Sequence, residues 1–573
     1  MLQIGNKDSQ IVIDAREYDV KPILEYIIKS NKLVIGHNIK FDYKVIKINY
    51  GLELYNVADT MLQAQVIECG LDSPPGWFTL ASVVQRYYDK YAYTNQGNLF
   101  LPYVTKKVRS TFSTVDGDFS EEQIVYGAMD VEKCFCTYLK LLEVINEKDL
   151  WKAAELENKF CLVLADMELE GLPLDKEKWI QNAEKAEADL IPLGEELKKQ
   201  ADINWDSPKQ VGNILKELGV DIQIMDKKTG TIKESVGKLV LAKYRKTYPL
   251  LDTYLTFKED GKKAKAYGEK FLRHLNPTTG RIHSSFMQIL NTGRTSSSNP
   301  NVQNIPRDLS YRECFKADEG RTFVIADFSN QELRVLADKA GEINMLKAFW
   351  NNEDIHWATA KVAFDNPDIP KESEERQMAK SMNFLMSFGG GPHKLKDAFG
   401  VSMAKAKSLA KMYFDRFPAL HQYFIRVGEE TKSTGIVKID DTIGRISSLP
   451  WFDKYDFAKK HVEYFEARGW EAHPAIKDVY RMLDAQTQRQ AQNRPIQGTA
   501  ASISKEAGVR LRDNMLKTRK FKILLLIHDE WVLDCNTIDA REVAETLSRC
   551  CVEASKVFCK QLEIPADSVT NHV

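Results

Sequence analysis

Two short apolar runs that each end in a carboxylate constrain this chain more than any other feature. The first is Thr322-Phe-Val-Ile-Ala-Asp327-Phe-Ser-Asn-Gln331-Glu332-Leu-Arg334; the second is Ile523-Leu-Leu-Leu-Ile-His528-Asp529-Glu530-Trp-Val-Leu533. A run of four or five apolar residues bounded by turn signals reads as a fully buried strand. The first strand hands its carboxylate to a helix. The second delivers one at an acidic turn into a third strand. If the strands are neighbours, Asp327 and Asp529 converge. Two convergent carboxylates can hold two divalent cations about 3.5–4 Å apart, an arrangement suited to in-line phosphoryl transfer. Either aspartate alone reads as a turn or cap residue.

A third segment, Arg376-Gln-Met-Ala-Lys380-Ser-Met-Asn-Phe384-Leu385-Met-Ser-Phe388-Gly-Gly-Gly391, repeats at four-residue steps. Residues 376, 380, 384 and 388 drift by only about 40° per step and share one broad helix face. That face presents two cations and then two rings. Cations suit a triphosphate, and a ring can stack on a base. The plainer readings are a surface pair for Arg376 and Lys380 and two core phenylalanines.

The 573 residues predict two to four domains. No stretch approaches the roughly 18 apolar residues of a membrane span. Met1 to Gln10 has neither a basic nor an apolar leader region. Nine scattered cysteines without zinc-finger spacing point to a reducing, intracellular, soluble setting. The net charge of −1 argues against a generic nucleic-acid coat protein. Locally, Lys238 to Arg273 holds ten Lys/Arg against four Asp/Glu, with Tyr244, Tyr248, Tyr254 and Tyr267 interleaved. Such a run can follow a phosphate backbone, or it is a solvated helical face, the reading favoured for the run alone. Strands are predicted at 11–13, 33–35, 322–326 and 523–527, and helices near 22–29, over most of 120–200 with a break at Gly171, over 205–275 and over most of 330–430.

These segments, in this order, resemble motifs A, B and C of the family A DNA polymerases, the group that includes bacterial DNA polymerase I. Three intervening stretches fit the same pattern: Thr292-Gly-Arg294 through Pro306 before motif A, Asp354-Ile-His356 with Ala358-Thr-Ala360 in the fingers, and Asn493-Arg-Pro-Ile-Gln497-Gly-Thr-Ala-Ala501 before motif C. The resemblance spans about residues 20–565 and implies primer-dependent DNA synthesis from deoxynucleoside triphosphates, in replication, with two Mg²⁺ ions. It makes Asp327 and Asp529 the metal ligands and Glu530 a supporting carboxylate. Arg376 and Lys380 grip the triphosphate, with Lys380 donating a proton to pyrophosphate. Phe384, Phe388 and His356 complete the nucleotide site, and Glu332 excludes a ribose 2′-hydroxyl. Arg294, Arg489, Asn493 and Gln497 contact the primer–template minor groove, whose acceptors all correct pairs share, and His528 lies by the primer end. Implied partners are primer–template DNA, deoxynucleotides and a processivity factor or other replisome proteins, with no membrane.

The chain departs from the family pattern at Leu385, commonly Gly, at Phe388, commonly Tyr, and at Gln331, commonly aliphatic. Phe384 implies discrimination against dideoxynucleotides. The stretch between Pro450 and Asn493 is longer than usual; Trp451–His473 is either a contact surface for DNA or a partner, or a surface elaboration.

In the N-terminal third, Gly36-His-Asn38-Ile-Lys-Phe41-Asp42 and Tyr126-Gly-Ala-Met-Asp130 resemble the second and third motifs of 3′–5′ proofreading exonucleases. The resemblance implies Asp42 and Asp130 as metal ligands and Tyr126 as orienting the attacking water. The first motif, Asp-x-Glu, is absent; Asp14-Ala-Arg-Glu17 has the wrong spacing. Leu2–Gly5 reads as a core strand, so the chain is expected to begin inside this domain and to degrade single strands poorly. The absence of a 5′-nuclease segment leans towards a phage-like or organellar replicative type.

The expected fold is α/β and multidomain: an incomplete RNase H-like exonuclease domain (1–148) and a right-hand polymerase with thumb (149–290), palm (291–336 and 451–573) and fingers (337–450). Two alternatives are a single-subunit RNA polymerase, opposed by Glu332, and a catalytically dead DNA-binding scaffold, opposed by Asp327, Asp529, Arg376 and Lys380.

Overall fold

The computed structural model describes residues 1–88, 108, 110–112, 115, 117–225, 232–241, 244–245, 247–306, 308–364 and 366–571. These residues divide into two compact units. One comprises Met1–Glu170, Phe286–Ser296 and the chain from Arg321 on; the other comprises Gly171–Ser285 and Ser297–Gly320.

The first unit opens with a hairpin, β1 (Leu2–Gly5) and β2 (Gln10–Ile13), paired antiparallel. Leu2, Gln3 and Ile4 of β1 are half-buried rather than enclosed, and Gly5 is exposed, because a two-stranded ribbon covers only one of its faces. Helix α1 (Lys21–Lys29) follows, then β3 (Val34–Gly36), α2 (Ile39–Tyr50) and β4 (Val57–Asp59), which pairs parallel with β3. Asp59 caps α3 (Thr60–Ile67), accepting from the backbone N–H of Met61 and Leu62. A capping box at Ser120 starts α4 (Glu121–Glu147). Helix α5 (Trp151–Glu170) is buried almost all round, with Leu156, Phe160, Leu162, Val163 and Leu164 each enclosed. A helix apolar on every side must be surrounded, and α5 packs on α2 and on elements beyond residue 470. The expected boundary at 149 therefore moves: the second unit starts at Gly171.

In the second unit, α6 (Lys176–Gln200) packs on α7 (Leu250–Tyr267). Residues 297–320, expected in the palm, belong here. Tyr311 and Phe315 set their rings edge-on to Trp179, and Asp175 N–H donates to Cys314 O at 2.7 Å. The basic run lies in this unit. Lys238, Arg245, Lys258, Lys263 and Lys265 each pair with a carboxylate. Tyr254 is buried, Tyr244 and Tyr248 pack against the same core, and Tyr267 donates to Asn304 O. Three of the four interleaved rings thus pack on one core of this unit. Lys243 and Lys246 lie outside the described residues.

The rest of the first unit carries the sheet that the apolar runs predicted. Its strands are β5 (Arg321–Phe328), β6 (Phe521–Ile527), β7 (Glu530–Asn536) and β8 (Ala566–Asn571), in the order β6-β7-β5-β8, all antiparallel. Helices between 331 and 434 follow β5, among them α8 (Gln331–Ala340), α9 (Ile355–Ala363) and α10 (Glu374–Ser387). A second hairpin, β9 (Ile436–Asp440) and β10 (Arg445–Ser448), leads to α11 (Phe452–Glu466) and the 45-residue α12 (Pro474–Thr518). In the 451–473 segment, Tyr455, Ala458 and Val462 bury one face of α11, which lies against α12, while Phe457, Tyr464 and Trp470 stay exposed.

Candidate active site

The register of the sheet brings the carboxylates together. Asp327 on β5 is paired with Glu530 on β7, and Ile527 on β6 is paired with the same Glu530. Between β6 and β7 lies a two-residue turn, His528-Asp529, with His528 at φ 58°. Tight hairpins need positive φ, which normally selects Gly, Asn or Asp; a histidine held there is backbone strain of the kind that gathers at functional sites. The turn aims Asp529 back at β5. Phe328 N–H donates to Asp529 O at 3.3 Å, and the side chains of Asp327 and Asp529 lie close enough to interact. Burial raises the pKa of Asp529, and the negative charge of Glu332 adds to the rise. Such a site gains by receiving a cation.

Helix α8 starts from Asn330, which holds a left-handed conformation, and Glu332 lies in its first turn. Burial raises the pKa of Glu332 against the opposing pull of Arg294, with which it forms an ion pair. Gln331, a departure from the family pattern, is buried and donates to Ala500 O and Ser504 Oγ, both at 3.3 Å.

Ser373 caps α10 by accepting from Arg376 N–H, and Glu374 and Glu375 sit in its first turn. The four-residue repeat holds in space. The Phe384 and Phe388 rings stack with centroids 6.3 Å apart and 13° between planes, and Lys380 is exposed one turn earlier. Arg376 is held by Asp354, Nε to Oδ2 at 2.7 Å and Nη2 to Oδ2 at 2.5 Å. His356 lies beside Phe384, centroids 5.8 Å apart, but is buried; its Nδ1 meets Asn383 Nδ2 at 2.9 Å. Burial pushes its pKa down to about 4, with Lys380 and Arg376 close enough to depress it further.

Arg489, Asn493 and Gln497 follow one another at four-residue steps on α12 and share a face. Arg489 is exposed; Asn493 and Gln497 are half-buried, and the enclosed Oδ1 of Asn493 has no hydrogen-bond partner among the described residues.

The N-terminal carboxylates form a weaker group. Asp42, in the first turn of α2, is pushed up to about 6 by burial and by Asp59. Asp59 itself is committed to structure, accepting from the N–H groups of Asn38, Ile39, Met61 and Leu62. Asn38 holds φ 61° to make this possible. Tyr126 and Asp130 sit one turn apart on α4. Asp14 is clamped by Arg16, at 2.9 Å to Nε and 2.6 Å to Nη2, and held down to about 2. Among the described residues, no group of three or more His, Cys, Asp or Glu closes on a metal-sized point.

A buried charged cluster escaped the sequence reading. Glu157 on α5 pairs with Arg445 Nη2 at 2.5 Å and Lys505 Nζ at 2.6 Å. Lys505 also donates to Gln288 O at 2.9 Å, and burial drives it down to about 8. Its one local signal was a glutamate inside the apolar face of 156–167.

A profile described as DNA polymerase family A matches residues 176–571, more than half of the chain, and one described as 3'-5' exonuclease matches residues 1–146. The chain belongs to the family A DNA polymerases. It is a DNA-directed DNA polymerase that carries a 3′–5′ exonuclease domain. This family A polymerase is 28% identical to DNA polymerase I of Aquifex aeolicus across 100% of its own length and 92% of that protein's. It is 28% identical to DNA polymerase I of Borreliella burgdorferi and 31% identical to the thermostable DNA polymerase I of Thermus aquaticus, covering 91% and 76% of itself. It spans about half of those two, 53% and 49%. The polymerase also shares the fold of a solved structure described as the POL domain of Pol1 from M. smegmatis in complex with DNA primer-template and dNTP. There the TM-score is 0.78 at 22% identity, over 98% of this chain and 89% of that one. No helix among its described residues is long and apolar enough to cross a membrane.

Proposed function

We propose that this family A polymerase extends a primer by two-metal-ion nucleotidyl transfer from deoxynucleoside triphosphates, in DNA replication. The observation that carries the reading is the convergence of Asp327 and Asp529 across paired strands. The donor set fits Mg²⁺: hard carboxylate oxygens, and a buried aspartate whose raised pKa a cation would relieve. Two carboxylates suffice, because Mg²⁺ keeps waters and shares substrate phosphates. Asp327 and Asp529 would hold the two ions, which would make the primer 3′-hydroxyl more acidic and stabilise the departing pyrophosphate.

The chain's own groups do the remainder. Arg376 and Lys380 bind the triphosphate, and Lys380 supplies a proton to pyrophosphate. Phe384, stacked on Phe388 and backed by His356, supports the incoming base. Glu332 fills the space a 2′-hydroxyl would need. Arg294, Arg489, Asn493 and Gln497 read the minor groove, with His528 at the primer end and Glu530 supporting Asp327. Residues 171–285 serve as the thumb. Asp529→Ala should abolish primer extension while primer–template binding stays within about twofold; retained synthesis would remove the metal assignment.

The exonuclease domain is read as a weak nuclease: Asp59 is used as a cap, and among the described residues no three His, Cys, Asp or Glu close on a metal-sized point. A 3′-end-labelled single strand should survive Mg²⁺ incubation. Rapid loss of the terminal nucleotide, abolished by Asp42→Ala, would overturn this.

A further inference from the structure

The turn at Cys69-Gly70 belongs to the exonuclease domain by sequence, yet its neighbours are polymerase residues. Ser448 N–H donates to Cys69 O at 2.8 Å. The Cys69 thiol lies 3.7 Å from both Leu290 O and Asn291 O. Gly70, at φ +90°, is so close that a Cβ would sit 2.3 Å from Ser447 Oγ, 2.4 Å from Ser448 O and 2.7 Å from Arg494 Nη1. The residues it touches bond to one another. Arg494 Nη1 donates to Ser447 Oγ at 2.6 Å and Ser448 O at 2.9 Å, and Ser447 Oγ donates to Asn291 O at 2.8 Å.

Each end of this network adjoins a residue assigned to the primer–template. Arg494 follows Asn493 on α12. The 290–294 turn, closed by Gly293 N–H to Leu290 O at 2.7 Å and Leu290 N–H to Arg294 O at 2.9 Å, presents Arg294. Thr292 O in the same turn rests against Gly498, next to Gln497, where a Cβ would sit 2.7 Å away. Three positions on two separate elements are thus fixed relative to one another by backbone contacts and buried hydrogen bonds, and the Cys69-Gly70 turn fills the centre. Arg494 and Ser447 are both buried, so a displacement there is carried along the network rather than absorbed by solvent.

We propose that Cys69 and Gly70 are positioning residues for primer–template binding: through Ser447, Arg494 and the 290–294 turn, the exonuclease domain sets the placing of Arg294, Asn493 and Gln497. The domain therefore contributes to polymerisation without any nuclease chemistry. The inference rests on the assignment of those three residues to DNA.

Gly70→Ala puts a side chain at a left-handed φ and forces Ser447 and Arg494 aside. Ser447→Ala removes the Asn291 bond without strain and decides the matter if Gly70→Ala fails to fold. Loss of aligned minor-groove contacts should raise the primer–template Kd by roughly tenfold in Gly70→Ala and a few-fold in Ser447→Ala. The dNTP KM of the active-site-titrated enzyme should stay unchanged. A merely structural role lowers the active fraction and leaves both constants alone. Arg294→Ala is the reference. If it weakens DNA binding while Gly70→Ala and Ser447→Ala bind as wild type, the proposal is overturned and the site reading stands. If Arg294→Ala binds as wild type, both fall.

Discussion

Arg512→Met tests how firmly the exonuclease domain is joined to the polymerase fold. Arg512 on α12 is 5% exposed. Its Nε donates to Asp166 Oδ2 at 2.7 Å, and its Nη2 to Tyr43 Oη at 2.9 Å, Leu54 O at 3.2 Å and Glu53 Oε2 at 3.3 Å. Tyr43, Glu53 and Leu54 come from the exonuclease domain and Asp166 from α5. Methionine keeps most of the apolar stem but removes the charge and all four bonds. Removing one partner of a buried ion pair costs about 3–5 kcal/mol, because the opposite charge stays buried without compensation. Here Lys47 still reaches Asp166 at 2.6 Å and Glu53 at 3.2 Å, which puts the loss near the lower end, ~3 kcal/mol. At about 2–4 °C per kcal/mol for a domain of about 150 residues, the size of the exonuclease domain, the first thermal transition should fall by about 6–12 °C. Hydrogen exchange in α2 should accelerate in parallel.

The effect should also depend on pH. Burial alone would raise the Glu53 pKa, but Tyr43, Lys47 and Arg512 outweigh it and hold it below its ordinary value. A depressed carboxylate stabilises the fold above its unfolded pKa and loses that contribution as pH falls through the folded one. The gap between wild type and Arg512→Met should therefore narrow on acidification. A loss under ~1 kcal/mol at neutral pH, the size of an exposed pair, would refute the reasoning.

Asp354→Asn keeps an oxygen to cap α9, where Asp354 accepts from His356 N–H and Trp357 N–H, but releases Arg376. The dNTP KM should rise about five- to tenfold with kcat nearly unchanged, in steady-state single-nucleotide kinetics; an unchanged KM would show that Asp354 does not present Arg376. His356 titrates near 4 when folded, so the unfolded chain binds the extra proton between its ordinary value and that point. Stability should fall as pH drops through this window, and His356→Gln should flatten that part of the urea-midpoint profile.

Much of the site was legible because its signals are local. Strand ends at Asp327 and Asp529, and the four-residue repeat from Arg376 to Phe388, follow from backbone periodicity, and the structure keeps both. The domain boundary at 149 misplaced α5. A helical pattern shows that a helix exists but not what surrounds it, and only its all-round burial shows that it belongs with the first unit. His356 is buried beside Phe384, and nothing local distinguishes a buried histidine from an exposed one.

The sequence alone determined which residue types stand at strand ends and on which helix face, because those depend on neighbours within four positions. The tertiary structure alone decided that Asp327 lies across from Glu530 beside the His528-Asp529 turn. It also decided that Glu157 pairs with Arg445 and Lys505, 288 and 348 residues away, and that a turn at Cys69-Gly70 braces the loop carrying Arg294. Contacts at such separations leave no period in the chain; they exist only once packing brings the elements together.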